Sequence, residues 1–385
     1  MLPFYVFAAS FQPDSKPLLT ARSTGCEPVP YFFSNVTMPL SADYVFDTKT
    51  GTPHQCNNVF GHLKPTTWSG TKIIFVRIDD LPLFASTWLP KIRSSFLLIT
   101  AGDDYSFPTD FMREWKLPRK WSLINGQQNL ITTSRDDYTI PKKYSQLRTK
   151  KFIKRMRIKD YNFKTILENP NLKAWYTQNL DNTLSHPKLK PLPLGINFNK
   201  RAASQKEYNS AHDQDYVLQR TNQKLLPTGK RKLRVFADTH LVNSSTRHRS
   251  DGILSRFEVH KILENNPLID LQDGRLSRHE QWAKRGEYVF SLSLVGNGYD
   301  CHRTWESLAL GNIVLLQSSP LDPLFEGLGL PVIIIHDWTQ INEKNLQLWA
   351  KRYGDAFENP NYRKKLTSDY WIEEIYNSGR GDLRH

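Results

Sequence analysis

Cysteine is scarce in this sequence: Cys26, Cys56 and Cys301 are the only three in 385 residues. An odd number this small frames no disulfide scaffold for a chain of such length. Long apolar runs are missing too. No stretch approaches the 18 apolar residues expected of a membrane-spanning helix. Residues 2–10 are apolar but lack a basic start and are too short for a signal peptide. The expected localisation is therefore cytoplasmic, with the Golgi lumen as the alternative if an anchor or signal has been lost. Zinc-finger spacing, RNA-binding aromatic motifs, internal repeats and low-complexity tracts are also absent. The glycosylation sequons at Asn35 and Asn243 matter only in a secretory compartment.

What is present is globular in character. Hydrophobic residues make up 39% and charged residues 23%, with 10 Trp, 16 Tyr and 20 Phe to fill a core. The length exceeds what one core usually holds, so two domains are expected. Lys and Arg exceed Asp and Glu by 14, which favours anionic partners. The densest basic run, residues 142–164, includes Lys150, Lys151, Lys154, Arg155 and Arg157 with Tyr144, Phe152 and Tyr161 between them. A solvated helix face or loop edge accounts for it, and no nucleic-acid partner is expected.

Residues 1–70 read as a loop-rich lead-in, rich in Pro, Ser, Thr and Gly. A first Rossmann-like domain spans 71–228, opening with a strand–helix–strand unit at 72–79, 83–93 and 95–102, then strands at 172–178 and 190–196. The polar stretch 199–232 reads as an interdomain linker. A second Rossmann-like domain spans 229–385, with strands at 233–238, 268–271, 288–294, 313–317 and 332–336. Helices fall at 251–265, 277–285 and 301–310, with two more closing the chain. Apolar strands alternating with helices imply parallel sheets covered on both faces, whose ligands bind where the strands end.

The most informative segment is 288–323. Gly296 and Gly298 lie where a strand hands over to a helix and let backbone amides approach a phosphate. Asp300 suits the helix N-cap, which puts Arg303 in the first turn and Glu306 one turn later on the same face. A planar guanidinium at a helix N-terminus suits a diphosphate, and a carboxylate one turn deeper suits two ribose hydroxyls. An i,i+3 ion pair on a solvated helix is the plainer alternative. Trp305, on the other side, reads as core. Arg247 and Arg249, in the loop after strand 233–238, could also reach a phosphate, or could be a solvated loop pair.

The block G-N-G-Y-D-C-H-R-T-W-E-S-L-A-L-G-N-I, followed by S-S-P-L-D-P and D-W, resembles the exostosin-like glycosyltransferases. Their donor domain carries a glycine loop, then R-x-x-E-x-L-x-x-G and a hydrophobic strand. The likeness spans 230–385 and thins upstream. It implies a GT-B fold: two Rossmann-like domains facing each other across a cleft. It further implies an inverting, metal-independent transferase that uses a UDP-sugar, with UDP-xylose and UDP-glucuronate among the candidates, and a glycan hydroxyl acceptor. On that resemblance Arg303 would contact the donor diphosphate and Glu306 the ribose, with Gly296, Asn297 and Gly298 lining the phosphate pocket. Where the family has Cys-Ile-Pro after the helix glycine, this chain has Asn312, Ile313 and Val314 after Gly311.

Inverting transfer needs a base for the acceptor hydroxyl and positive charge for the departing diphosphate. Asp104, after strand 95–102, is the first candidate for the base and Asp79 the second; either could instead be a cap or turn carboxylate. Asp79-Asp80 and Asp103-Asp104 are adjacent pairs, not the metal-binding Asp-x-Asp spacing, so no metal and no other cofactor is expected. The rival functions are a catalytically silent nucleotide-sugar or glycan binder and a basic nucleic-acid-binding protein.

Overall fold

The computed structural model describes residues 29–46, 58–59, 69–102, 106–109, 111, 120–124, 127–131, 163–181, 183–198, 210–238, 251–272, 274 and 276–379. Its strands are β1 (Tyr44–Phe46), β2 (Asn58–Val59), β3 (Lys72–Arg77), β4 (Phe96–Ala101), β5 (Lys120–Ile124), β6 (Gln127–Ile131), β7 (Leu172–Gln178), β8 (Leu189–Leu192), β9 (Lys232–Ala237), β10 (Ile269–Leu271), β11 (Tyr288–Ser293), β12 (Ile313–Gln317) and β13 (Val332–Ile335). Its helices are α1 (Thr37–Ser41), α2 (Leu81–Thr87), α3 (Phe163–Leu167), α4 (Ala211–Lys224), α5 (Arg256–Leu263), α6 (Arg278–Arg285), α7 (His302–Ala309), α8 (Asp322–Leu328), α9 (Glu343–Tyr353), α10 (Pro360–Lys364) and α11 (Ser368–Ser378).

Two parallel sheets organise the chain, as the alternation of apolar strands and helices implies. The first has the order β2-β1-β3-β4-β7-β8 and the second β10-β9-β11-β12-β13. β5 and β6 form a separate antiparallel hairpin. Side chains alternate across each strand, so each sheet needs cover on both faces. In the first sheet Ile74, Val76 and Leu98 pack with Leu81 and Phe84 of α2 and Phe163 and Ile166 of α3. On its other face Ile73, Phe75, Leu97 and Ile99 share a cluster with Met38 of α1 and Trp371, Ile372 and Ile375 of α11. In the second sheet Val235, Val289 and Leu315 pack with Val259 and Leu263 of α5 and Leu346 of α9, while Val314 and Leu316 share a cluster with Trp282 of α6 and Trp305 of α7. That last cluster also holds Ala174 and Tyr176 of the first sheet, so one apolar core runs through both domains.

Three segments differ from the sequence expectation. The lead-in 1–70 contributes β1 and β2 to the first sheet, β1 pairing parallel to β3. The last helix, α11, packs not on the domain it follows but on the first sheet, where Gly379 approaches Leu97 and Thr71. The polar stretch 199–232 holds the 14-residue α4, opened by a reciprocal cap in which Ser210 accepts from Asp213 N–H and Asp213 from Ser210 N–H. Its buried face is largely polar: Gln214 donates to Phe198 O at 2.9 Å and Asp215 accepts from Tyr31 and Phe32 N–H at 2.8 and 3.1 Å. The Asp-x-Asp spacing does occur here, at Asp213-Gln214-Asp215, but Asp213 caps the helix and Asp215 holds the incoming chain. Both carboxylates serve backbone amides.

No helix among the described residues is long and apolar enough to cross a membrane.

Candidate functional site

The carboxyl ends of the two sheets meet. β7 ends at Gln178, and the next residue, Asn179, takes a left-handed backbone with φ 53°. Its Oδ1 accepts from Asp300 N–H at 2.7 Å, in the loop that follows β11. Beyond β8, Leu194 N–H donates to Asp300 Oδ2 at 2.7 Å, and Gly195 O accepts from His302 Nδ1 at 2.6 Å. Arg278 of α6 donates to Asn197 O and, at 2.9 Å, to Gln214 of α4. The loop between β11 and α7 is thus clasped by the strand ends of the other domain, where open parallel sheets place their ligands.

Both loop glycines have tight surroundings. A Cβ on Gly296 would sit 3.0 Å from Arg256 Nη2, and one on Gly298 2.7 Å from Asn179 Oδ1. Gly296 N–H closes the turn on Gly298 O at 3.0 Å. Gly298 therefore serves the domain seam directly, and Gly296 admits a guanidinium. Asn297 lies between them in the turn.

Asp300 is not the N-cap of α7. That position falls to Cys301, whose side chain makes no capping bond. The Asp300 carboxylate instead accepts from Leu194 N–H, from Cys301 N–H at 2.7 Å, and from Trp305 Nε1 at 2.9 Å. Trp305 is core as expected, 2% exposed and stacked on Phe325. Burial pushes the Asp300 carboxyl up from 3.8 to about 6, against the pull of its donors. The folded form thus favours the protonated acid, a contribution fully present below pH 4 and lost as pH rises through 6. Relative to Asp300→Asn, the wild type should gain about 1–1.5 kcal/mol of stability between pH 8 and pH 5. Denaturant titrations of both proteins across that range check it, and a constant difference would contradict it.

Arg303 and Glu306 are joined in one ladder of charges. Arg303 Nε pairs with Asp238 Oδ1, just past the end of β9. Asp238 Oδ2 accepts from Arg285 Nη2 at 2.6 Å and from Gln281 of α6. Arg285 Nη1 then donates to Glu306 Oε2 at 3.0 Å. Exposure sorts the four side chains: Arg285 and Asp238 are 1% exposed and form the floor, while Arg303 and Glu306, at 10% and 11%, form the rim. The direct i,i+3 ion pair considered from sequence is replaced by partners on two other elements. Burial pushes the Glu306 carboxyl up, but Arg285 and Arg278 outweigh it and hold it below the usual carboxylate range. For Arg303, burial opposes the charge, and Asp238 together with Cys301 and Glu306 more than restores it.

Arg256, on the first turn of α5, adds a second guanidinium at the glycine loop. Its Nε donates to Val295 O at 3.0 Å, and its Nη2 lies 3.6 Å from Cys301 Sγ, which Arg303 Nη1 approaches to 3.5 Å. Two cationic groups thus converge at the start of α7, a setting suited to an anion. Asp238, Arg285 and Arg256 escape a reading of the sequence, because each belongs to a different element and only the fold joins them. The one legible signal is position: Asp238 is the last residue of the strand expected at 233–238.

Asp79 lies just past the end of β3. Its carboxylate is fully buried, with Arg77 Nε 3.8 Å away. Asp104, Arg247 and Arg249 lie outside the described residues, as do Cys26, Cys56 and residues 142–162 of the basic run.

No family model matches the chain, and no curated protein matches it. Among solved structures it is similar to a UDP-forming α,α-trehalose-phosphate synthase from Burkholderia xenovorans, with 10% identity and a TM-score of 0.35 over 82% of this chain and 75% of that one. It is also similar to the glycotransferase of kitacinnamycin, with 11% identity and a TM-score of 0.31 over 81% of this chain and 74% of that one.

Proposed function

We propose that this protein is a glycosyltransferase that moves a sugar from a nucleotide sugar to a hydroxyl acceptor. One observation carries the reading. A guanidinium and a carboxylate sit one helical turn apart on the rim of a charge ladder, on the helix that follows a parallel strand, where a second parallel sheet ends. Arg303, with Arg256 beside it, would bind the diphosphate, and Glu306 would accept from the ribose hydroxyls. The resemblance of the Arg303–Glu306 block to exostosin-like enzymes adds the finer reading: a UDP-sugar, UDP-xylose or UDP-glucuronate among the candidates, transferred with inversion and without a metal.

As the donor's glycosidic bond breaks, the diphosphate gains negative charge, which the two guanidinium groups would stabilise. The acceptor hydroxyl would attack from the side of the first sheet, its proton taken by a carboxylate there. Because Asp79 is sealed from solvent, Asp104 is the candidate we favour.

A thermal-shift panel of nucleotide sugars, followed by assay of nucleoside diphosphate release with glycan acceptors, tests the proposal. A true donor present at 100 times its Kd should add about 2.7 kcal/mol of stability. One nucleotide sugar should raise the melting temperature and support acceptor-dependent release. A panel without any shift would overturn the donor site; a shift without turnover would leave a binding protein.

A further inference from the structure

We propose that Arg285 is a positioning residue for donor recognition: from the floor of the ladder it holds one oxygen of Glu306 and leaves the other for the ribose. The inference rests on the donor-site reading above.

Arg285 is sealed from solvent and cannot touch a donor itself. Its Nη1 donates to Glu306 Oε2 at 3.0 Å and its Nη2 to Asp238 Oδ2 at 2.6 Å, so the planar fork spans two carboxylates from two elements. A fork of fixed geometry imposes direction as well as charge, which a lysine could supply only in part. The backbone beneath is pinned: Arg285 ends α6, and its carbonyl accepts from Asn312 Nδ2 at 3.0 Å, in the turn that leads from α7 to β12. Glu306 Oε1 has no hydrogen-bond donor among the described residues and belongs to a side chain that still reaches the surface. One carboxylate oxygen is committed and one is presented. The charged and titratable groups facing Glu306 are Arg285 and Arg278 from α6 and Arg303 and His302 from α7, with Asp238 after β9 on the far side of Arg285.

Arg285 has a second consequence. Burial alone would favour the neutral Glu306 acid, which is a poorer acceptor for two hydroxyls than the carboxylate. The guanidinium keeps the acceptor form available through the acid range. Without it, ribose binding should fail at a higher pH than in the wild type.

Calorimetric titration of the full chain with UDP and with inorganic diphosphate, from pH 8 to pH 5, tests this for wild type, Arg285→Met and Arg285→Lys. In the wild type, UDP affinity should fall toward pH 5 only as far as protonation of the UDP terminal phosphate, whose second pKa is about 6, accounts for. Arg285→Met should bind UDP about tenfold more weakly at pH 8, a loss typical of one hydrogen bond to a charged group, and the gap to the wild type should widen toward pH 5. Its diphosphate affinity should change much less. Arg285→Lys should recover part of the affinity and most of the wild-type pH profile. An Arg285→Met protein with the wild-type UDP profile would overturn the proposal, as would equal loss of UDP and diphosphate. Should Arg285→Met not fold, Arg285→Lys combined with Glu306→Gln decides: losses that add as for independent sites would overturn it. A wild type that binds diphosphate but not UDP would sink the donor reading first, whereas normal UDP binding with an indifferent Arg285 sinks only this inference.

Discussion

Arg303→Ala should lower kcat/KM for sugar transfer by about 100- to 1,000-fold, the usual cost of removing one group that stabilises developing charge. The loss should fall on kcat as well as on donor affinity, because the diphosphate is more negative in the transition state than in the bound donor. The same change uncovers Asp238 Oδ1 in a nearly dry site, so the variant should also lose stability. Breaking a buried pair costs about 3–5 kcal/mol, and the shared bond from Arg285 to Asp238 places this case toward the lower end. Arg303→Lys separates the two effects by keeping the charge while losing the fork. It should restore much of the stability and less of the rate. Steady-state kinetics beside a denaturation curve for each variant gives both numbers. Rates unchanged in Arg303→Ala would remove the diphosphate assignment.

Trp305→Ala should destabilise the protein by about 3–5 kcal/mol. The side chain is 2% exposed, stacks on Phe325 with ring centroids 5.7 Å apart, and donates to the buried Asp300 carboxylate. Its removal opens a cavity beside the seam and takes one donor from a carboxylate that also holds Leu194 of the other domain. Trp305→Phe isolates the second effect and should cost about 1–3 kcal/mol, the range for a buried acceptor losing a partner. If Trp305→Phe were as damaging as Trp305→Ala, the hydrogen bond rather than the packing would dominate. If neither destabilised the protein, the seam would not depend on this residue.

The sequence carried the sheet elements well where burial is complete. Residues 172–178 and 313–317 coincide with β7 and β12: β12 is buried along its whole length and apolar up to Gln317, and β7 is buried at every position but Lys173. The helix expected at 277–285 forms as α6, opened by Ser277 and Glu280, which cap each other reciprocally. α4 was not legible from hydrophobic pattern, because its buried positions include Gln214, Asp215 and Thr221. Gln214 and Asp215 are buried by hydrogen bonds to distant backbone and Thr221 by one to Val217 O a turn earlier, reasons invisible to periodicity. β1 is three residues long and stands as a strand through its pairing with β3, so nothing local distinguishes it from a loop.

The candidate site divides along the same line. Arg303 and Glu306 could be placed near each other because both belong to one helix. Asp238 and Arg285, which hold them, come from a strand end and from the last turn of another helix, and only the second sheet's order brings these together. Gly298 was read as making room for a ligand, yet the neighbour that needs its missing Cβ is Asn179, from the other domain. A glycine shows that something comes close without showing what.

UDP titration into wild type, Arg303→Ala and Glu306→Ala, repeated with uridine and with inorganic diphosphate, tests the central claim most directly. The account predicts that wild type binds UDP, that Arg303→Ala loses chiefly the diphosphate contribution, and that Glu306→Ala loses chiefly the uridine contribution. UDP binding of equal strength in all three proteins, or in none, would contradict it.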